Sequence, residues 1–395
     1  MASPRAVLVT ASAAQVAAAL IGIALPVIGP QIADQYGLSL PGLGLVLTAN
    51  ILGQGISLIF AGAAVERYGG RLTTIAGVSV AVAGISVAAF APTTAVLVVA
   101  LFISGLGSAT VPIAGMGAVF RVYEQARRAW ALGMRQMAVP VAGIVGAFLM
   151  PILDAAGGVR LALLVSAGAL AVLGMLFALT GAGASPGQVA ARVGLKAVAR
   201  ILRSPGIIRL LLVALFYTVV LQSALSYLVP SLRDQGLTTF WASAAFFAMQ
   251  LSAAVSRVMW GRIADRHGGG RRIRTLAEVG WASAVGGVVF ALLLGTGIGG
   301  VIIGTILFGL GALGWNALVY VSAGERGPPE LPAQSVAVAA AVVFTVAAAS
   351  SPAMGALAQS VGWIAFWVIC AGFAIAGSAV AMSIARQDRD IAREA

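Results

Sequence analysis

A charged glycine motif that occurs twice, half a chain apart, constrains this sequence more than any other feature. The first copy runs from Gly62 to Arg71 and reads Gly-Ala-Ala-Val-Glu-Arg-Tyr-Gly-Gly-Arg. The second copy runs from Gly261 to Arg272 and reads Gly-Arg-Ile-Ala-Asp-Arg-His-Gly-Gly-Gly-Arg-Arg, 199 residues further along a chain of 395. Each copy follows a long apolar stretch. Such a repeat predicts two homologous membrane-spanning halves, an arrangement typical of solute carriers.

The repeat extends beyond the two motifs. Asp34-Gln-Tyr-Gly37 in the first half returns as Asp234-Gln-Gly236 in the second half. The distance from this glycine to the motif glycine is 25 residues in both halves. Because two independent spacings agree, we interpret the halves as structural repeats.

The composition excludes an ordinary soluble domain. Apolar residues make up 60% of the chain and charged residues 9%, whereas soluble domains have about 25% charged residues. We predict an all-α integral membrane protein with twelve transmembrane helices in two pseudo-symmetric six-helix bundles, residues 1–182 and 207–395. The predicted spans cover roughly residues 6–30, 42–64, 73–91, 95–119, 130–152, 160–181, 207–230, 240–262, 275–295, 299–322, 334–357 and 361–385.

The basic residues predict the orientation of these spans. Of the 24 lysines and arginines, 20 fall in the termini and loops of one face, and only Arg160 and Arg233 fall on the other. By the positive-inside rule both termini lie in the cytoplasm, and we predict a multi-pass protein of the inner (cytoplasmic) membrane. The bilayer therefore accounts for the net charge of +12, and we predict no nucleic-acid partner.

One long connection joins the halves. In residues 183–206, Arg192, Lys196, Arg200 and Arg203 follow spacings of four and three, which place them on one helical face. We predict an amphipathic linker helix that lies on the cytoplasmic leaflet and tethers the two bundles.

The doubled motif resembles the signature loop of the major facilitator superfamily, with Glu66 where the family usually has aspartate. This resemblance implies two six-helix bundles around a central cavity, a rocker-switch mechanism and no cofactor. It also implies that the motif residues gate the cytoplasmic side, since their charges hold that side closed in one state. The residues expected to gate are Gly62, Glu66, Arg67, Arg71, Gly261, Asp265, Arg266 and Arg271. The family's span-four arginine pattern is absent around Gly105, and its span-five antiporter pattern is incomplete at Pro140.

Two arginines fall inside predicted spans, Arg135 in the fifth and Arg257 in the eighth. Buried arginine is costly in a bilayer, so such side chains usually face a cavity or a partner. Arg257, four residues before Gly261, is similar to an arginine of monocarboxylate transporters that contacts the substrate carboxylate. The alternative for both arginines is that they snorkel to the surface or pair with loop carboxylates.

No aspartate or glutamate falls in the middle of a predicted span. A positive cavity favours anions over cations. Further polar side chains in the spans are candidates for substrate binding, or alternatively for interhelical hydrogen bonds: Tyr217, Gln222, Asn50, Gln54, Asn316 and Tyr320. Trp363 and Trp367 are expected to face lipid or the interfacial belt.

We therefore predict a monomeric secondary or facilitative transporter for a small organic anion, most simply a carboxylate, with Arg257 and Arg135 as binding residues. Efflux of neutral or amphiphilic molecules is the alternative within transport, and a non-transporting membrane sensor is the alternative outside it. Catalytic and metal-ligand spacings are absent, which argues against an enzyme. Cys370 has no partner for a disulfide, and His267 is expected to be a solvated loop residue.

Overall fold

The computed structural model describes residues 3–124, 131, 134–180, 195–267 and 272–394, and these are almost entirely helical. The helices of the first half are α1 Pro4–Ala24, α2 Gly29–Tyr36, α3 Leu40–Tyr68, α4 Gly70–Ala89, α5 Thr94–Ser108, α6 Thr110–Val122 and α7 Ala138–Thr180. The remaining helices are α8 Leu195–Leu202, α9 Ile207–Asp234, α10 Thr239–His267, α11 Arg272–Leu293, α12 Ile298–Ala312, α13 Asn316–Arg326, α14 Pro332–Val361 and α15 Trp363–Glu394.

The helices form two compact units, Met1–Ala190 and Ala191–Ala395. In the first unit α1 packs along α7, and both α3 and α4 pack on α5. In the second unit α11 packs on α12 and α15, while α9 packs on α14 and α15. Each unit therefore has its own helix-on-helix core.

Eleven helical segments of the described chain are long and apolar enough to cross a bilayer. The longest, Met134–Thr180, holds both the fifth and the sixth predicted span. Its backbone leaves the helical conformation at Gly157 and Gly158. The 43 residues of α7 would measure about 65 Å as one straight helix, twice a hydrocarbon core of about 30 Å. The break therefore divides this segment into two crossings, which gives twelve.

Three crossings that the sequence predicts as continuous are interrupted. The first has a 3-10 turn, Leu25–Ile28, between α1 and α2. The fourth is interrupted at Ala109, three residues before Pro112, which has no N–H to bond the carbonyl of Ser108. The tenth is interrupted between α12 and α13, at 313–315.

Two indole groups bond backbone carbonyls at the interruption of the tenth crossing. Trp260 Nε1 on α10 donates to the Leu310 carbonyl at 2.8 Å, and Trp315 Nε1 donates to the Ala312 carbonyl at 3.1 Å. These carbonyls lose helical partners at the break, so the indoles satisfy groups that would otherwise be costly at membrane depth.

The sequence repeat at Gly37 and Gly236 is also a structural repeat. Both glycines have positive φ, 62° and 84°. In each case the next residue donates its N–H to the carbonyl five positions earlier, Leu38 to Ala33 at 2.9 Å and Leu237 to Leu232 at 3.1 Å. This is the Schellman helix ending, which requires a left-handed residue and favours glycine.

The expectation that Trp363 and Trp367 face lipid was wrong, while their place in the interfacial belt stays a prediction. Trp367 is fully buried, and Trp363 is only 9% exposed. The ring of Trp367 makes edge contacts with Phe290, Phe308 and Phe366. Both rings therefore belong to an aromatic core within the second unit, because packing against other rings buries them as well as lipid would.

The structure describes only the last part of the predicted linker, since 181–194 lies outside the described residues. The described helix, α8, buries Ile201 completely against the second unit, where α8 contacts α14 and α9. Arg200 on the same helix is exposed. An amphipathic helix at this position is thus present, and its place on the leaflet stays a prediction.

Candidate transport site

Arg257 and Tyr320 meet where α10 packs beside α13. Both side chains are partly buried, and they are close enough for an electrostatic interaction. Asn316 lies one turn before Tyr320 on α13, so both residues share a face. The Asn316 Oδ1 atom is buried and has no hydrogen-bond partner in the described structure. This cluster offers a guanidinium, a hydroxyl and an unsatisfied acceptor.

Arg135 is a buried cation in the first unit, with 5% of its surface exposed. Its Nη1 and Nη2 atoms both donate to the carbonyl of Pro112, at 2.9 and 2.6 Å. Its Nε has no hydrogen-bond partner. The residue beside the guanidinium is Gly115, where an added Cβ would lie 3.2 Å from Nη1. Arg135 is the only charged side chain among the fully buried residues that the structure describes.

A glutamine pair links α1 to the segment that carries Arg135. Gln15 is 6% exposed, and its Nε2 donates to Gln136 Oε1 at 3.2 Å. The Gln15 Oε1 atom is buried without a partner. Gln136 was not among the predicted site residues, because its contact joins positions 121 residues apart in the sequence.

Asn50 and Gln54 belong to an interhelical network between α3 and α5. Asn50 Nδ2 donates to Ser104 Oγ at 2.7 Å, and Asn50 Oδ1 accepts from Gln54 Nε2 at 2.7 Å. Asn50 is 2% exposed, whereas Gln54 is partly exposed. Asn50 therefore uses its polar atoms for packing, which is the alternative that the sequence left open.

Tyr217 and Gln222 are also satisfied inside their own unit. The Tyr217 hydroxyl donates to the Leu276 carbonyl at 2.9 Å and lies 3.2 Å from Ser378 Oγ. Gln222 Nε2 donates to Ser226 Oγ at 3.0 Å. Both side chains are buried, at 2% and 3% exposure. The structure thus brings Arg257 and Tyr320 together, with Asn316 on the same helix face as Tyr320, but it places Tyr217 and Gln222 in separate packing networks.

The predicted gate residues lie at the helix ends that carry the two motif copies. Gly62 and Gly261 are in the last turns of α3 and α10. The side chains that can be described are exposed in both copies: Arg67, Arg71, Asp265 and Arg266. The Glu66 side chain and Arg271 lie outside the described part of the chain.

Two of the described ion pairs lie near the motif copy of the second unit, and their carboxylates were not among the predicted gate residues. Arg272 pairs with Glu325, and Arg326 pairs with Asp388. These contacts fasten α13 to α11 on one side and to α15 on the other. The adjacent Glu325 and Arg326 at the end of the tenth span were a sequence signal for this cluster.

The buried polar groups of the described residues are neutral or positive. No carboxylate is among the fully buried side chains there, and no cluster of potential metal ligands is found in that part of the chain. A buried cation at Arg135, with no fully buried carboxylate among the described residues, gives its surroundings in the first unit a positive potential, which attracts anions.

Twelve apolar crossings in two units, with polar groups beside interrupted helices, define a membrane transporter. The chain belongs to the Major Facilitator Superfamily, whose sequence profile matches residues 10–352. Family and fold confirm the predicted all-α membrane architecture, and they confirm that the protein is not an enzyme. The family transports small molecules across membranes by alternating access.

Solved structures of other transporters share this fold. A D-xylose-proton symporter superimposes with a TM-score of 0.78 at 14% identity, covering 95% of this chain and 96% of its own. A POT family transporter in complex with 5-aminolevulinic acid gives 0.77 at 13% identity, covering 97% and 96%. The nucleoside transporter NupG gives 0.74 at 14% identity, covering 95% and 99%. A search of curated proteins found no match.

Proposed function

We propose that this protein transports a small organic anion, most simply a carboxylate, across the cytoplasmic membrane. The observation that carries the proposal is the charge of the buried groups. Arg135 is the only fully buried charged residue in the described chain, and Arg257 is partly buried beside a tyrosine. A buried guanidinium group compensates the charge of an anion and repels a cation. The distribution of arginines supports cytoplasmic termini.

Arg257 would bind the carboxylate, because a planar guanidinium donates two parallel hydrogen bonds to it. Tyr320, which interacts with Arg257, would donate a third. Arg135 is proposed as a second anion-binding residue, because its charge is buried within the first unit. The other candidates would support the site through helix packing, since most of their described polar atoms already have partners: Asn50, Gln54, Tyr217 and Gln222.

The unsatisfied acceptor on Asn316 narrows the substrate class. An acceptor that is buried without a partner favours a ligand with a hydrogen-bond donor. We infer a carboxylate that also carries a hydroxyl or amino group. The compound 2-hydroxypropanoate should therefore bind more tightly than propanoate, on the order of tenfold, because propanoate leaves Asn316 unpaired.

Ligand-induced thermal stabilisation of the purified protein tests this function, because a ligand that binds only the folded state raises its stability. We would compare 2-hydroxypropanoate, propanoate, glucose and a hydrophobic phosphonium cation. The carboxylates should stabilise the protein, and Arg257→Ala should abolish that shift. Arg262→Ala is the matched control, since Arg262 lies on the same helix and is exposed.

Stabilisation by the cation or glucose alone, unchanged in Arg257→Ala, would contradict the proposal and favour efflux of other compounds. Uptake of the labelled carboxylate into proteoliposomes then separates transport from sensing, because a sensor binds without moving its ligand. Loss of exchange without loss of binding in Asp265→Asn would support the gating role proposed for the motif.

A further inference from the structure

The first unit has an apolar groove that the proposed transport site does not use. The groove has a volume of about 620 Å³ and lies between α3, α4 and the α5–α6 segment. Its lining includes neither Arg135 nor any other residue of the proposed substrate site. It therefore needs a separate explanation.

The course of the chain produces this groove. Only Gly69 separates α3 from α4, and from there both helices pack mainly on α5 and little on each other. The facing walls have small side chains at Ala61, Ala64, Ala76 and Gly77. Larger residues at these positions would fill the space between the two helices.

The rim of the groove has exposed apolar side chains. Phe60 is 65% exposed, Tyr68 55% and Leu72 57%. On α3 the lining runs from Ser57 to Tyr68, which spans about 16 Å of helix. That length is about half of a hydrocarbon core of about 30 Å. The groove thus has the depth of one leaflet, which is the depth of one acyl chain.

The charges lie at one end of the groove. Arg67 and Arg71 flank the lining residues Tyr68 and Leu72, and both arginines are exposed. The segment from Glu66 to Arg71, where α3 ends and α4 begins, has two arginines and one glutamate, which leaves it with a charge of +1. A phosphate diester beside two guanidinium groups is a favourable, partly bidentate arrangement.

We propose that this groove binds one anionic phospholipid. An acyl chain lies between α3 and α4, and the headgroup phosphate contacts Arg67 and Arg71. The apolar lining suits an acyl chain, and the depth of the groove matches the length of that acyl chain. The two arginines at the end of the groove complement the negative charge of the headgroup. This inference does not depend on the identity of the transported substrate.

Native mass spectrometry of the intact, detergent-purified protein tests the proposal. The probes are phosphatidylglycerol and phosphatidylcholine with identical acyl chains. We expect one phosphatidylglycerol to be retained in preference to phosphatidylcholine, on the order of tenfold. Arg67→Gln combined with Arg71→Gln should remove the preference. Arg266→Gln, an exposed arginine of the second motif copy, should leave it intact.

A second variant tests the chain-binding part. Ala76 is exposed and lines the groove, so Ala76→Phe should fill it and reduce retention of both lipids. Ala83→Phe is the matched control, because Ala83 is an exposed alanine on the same helix outside the lining. Equal retention of both lipids by the unmodified protein would overturn the proposal. So would retention that Ala76→Phe does not change, or a dimer that Ala76→Phe abolishes. Each variant must elute as a single symmetric peak in size-exclusion chromatography, which shows that it is folded. If Ala76→Phe fails this criterion, the smaller substitution Ala76→Leu takes its place.

Discussion

Arg135 and Pro112 are joined by two hydrogen bonds, since both terminal nitrogens of the guanidinium donate to the same carbonyl oxygen at 2.9 and 2.6 Å. The carbonyl belongs to the proline that follows the interruption of the fourth crossing. A buried cation is thus held by a backbone dipole and not by a carboxylate. This leaves most of its charge uncompensated, which is the property that an anion site requires.

Arg135→Met separates a binding role from a structural one. The change removes two hydrogen bonds, each worth about 1–3 kcal/mol, and also removes a buried charge that costs a few kcal/mol at membrane depth. Because these effects oppose each other, the melting temperature should change by only a few degrees. The stabilisation by carboxylates should disappear. A fall of more than about 10 °C in melting temperature with ligand binding intact would show that Arg135 is structural.

Two tyrosines of the second unit should respond differently to loss of the hydroxyl. Tyr217→Phe removes the bonds to Leu276 and Ser378, so we expect a loss of about 1–3 kcal/mol in stability and unchanged carboxylate affinity. Tyr320→Phe removes a hydroxyl beside Arg257, so it should weaken carboxylate binding on the order of tenfold. Isothermal titration and thermal unfolding measure both. If Tyr217→Phe weakened carboxylate binding and Tyr320→Phe did not, Tyr217 would be a substrate-binding residue.

The sequence predicts those features that depend on composition and periodicity. Apolar length predicts the crossings, arginine placement predicts an orientation, and the doubled motif predicts two halves. The interruption at Pro112 was readable, because proline lacks the N–H that a helix interior needs. The interruption near Gly314 was not readable, since one of its freed carbonyls, that of Leu310, is satisfied by Trp260, which lies 50 residues earlier in the sequence.

Partners of side chains were the weakest part of the sequence analysis. Trp367 is equally apolar whether it faces lipid or a core, so hydropathy could not predict its burial against Phe290 and Phe308. Arg135 donates to a backbone carbonyl. Because every residue has a carbonyl, the sequence could not indicate which one the guanidinium would contact. Asn50 and Arg257 looked alike as polar residues in spans, and only tertiary contacts separate the satisfied amide from the cation beside Tyr320.

The paired glycines at the helix endings allow a clean test of the repeat. Gly37→Ala and Gly236→Ala place a Cβ on a residue with positive φ, and no atom lies within 4 Å of that Cβ in either case. The cost is therefore one of backbone conformation, about 1–2 kcal/mol for each change. Thermal unfolding should show similar losses in both variants.

Gly168→Ala is the matched control for these two changes. Gly168 also has nothing within 4 Å of an added Cβ, but it lies inside α7 and is not among the positive-φ glycines. Alanine should be neutral there or should stabilise the protein by up to about 1 kcal/mol. A loss at Gly168 equal to that at Gly37 would contradict the conformational explanation.

The ion pair between Arg326 and Asp388 should hold the end of α15 in place. Both side chains are partly buried, at 19% and 30% exposure, and the neighbouring Gln387 accepts a hydrogen bond from Arg209 at 2.9 Å. Asp388→Asn should therefore loosen the last turns of α15, seen as faster amide hydrogen exchange. Because the pair is solvent-accessible, its loss should cost no more than about 1 kcal/mol in overall stability.

The exchanged pair Arg326→Asp with Asp388→Arg should recover slow exchange, since the same two charges meet in reversed order. Glu278→Gln serves as the control, because it breaks an ion pair with Arg274 inside a single helix and should leave α15 unaffected. Exchange in α15 that rises equally in Glu278→Gln and Asp388→Asn would mean that the general charge of this surface, and not the Arg326–Asp388 contact, holds the helix end.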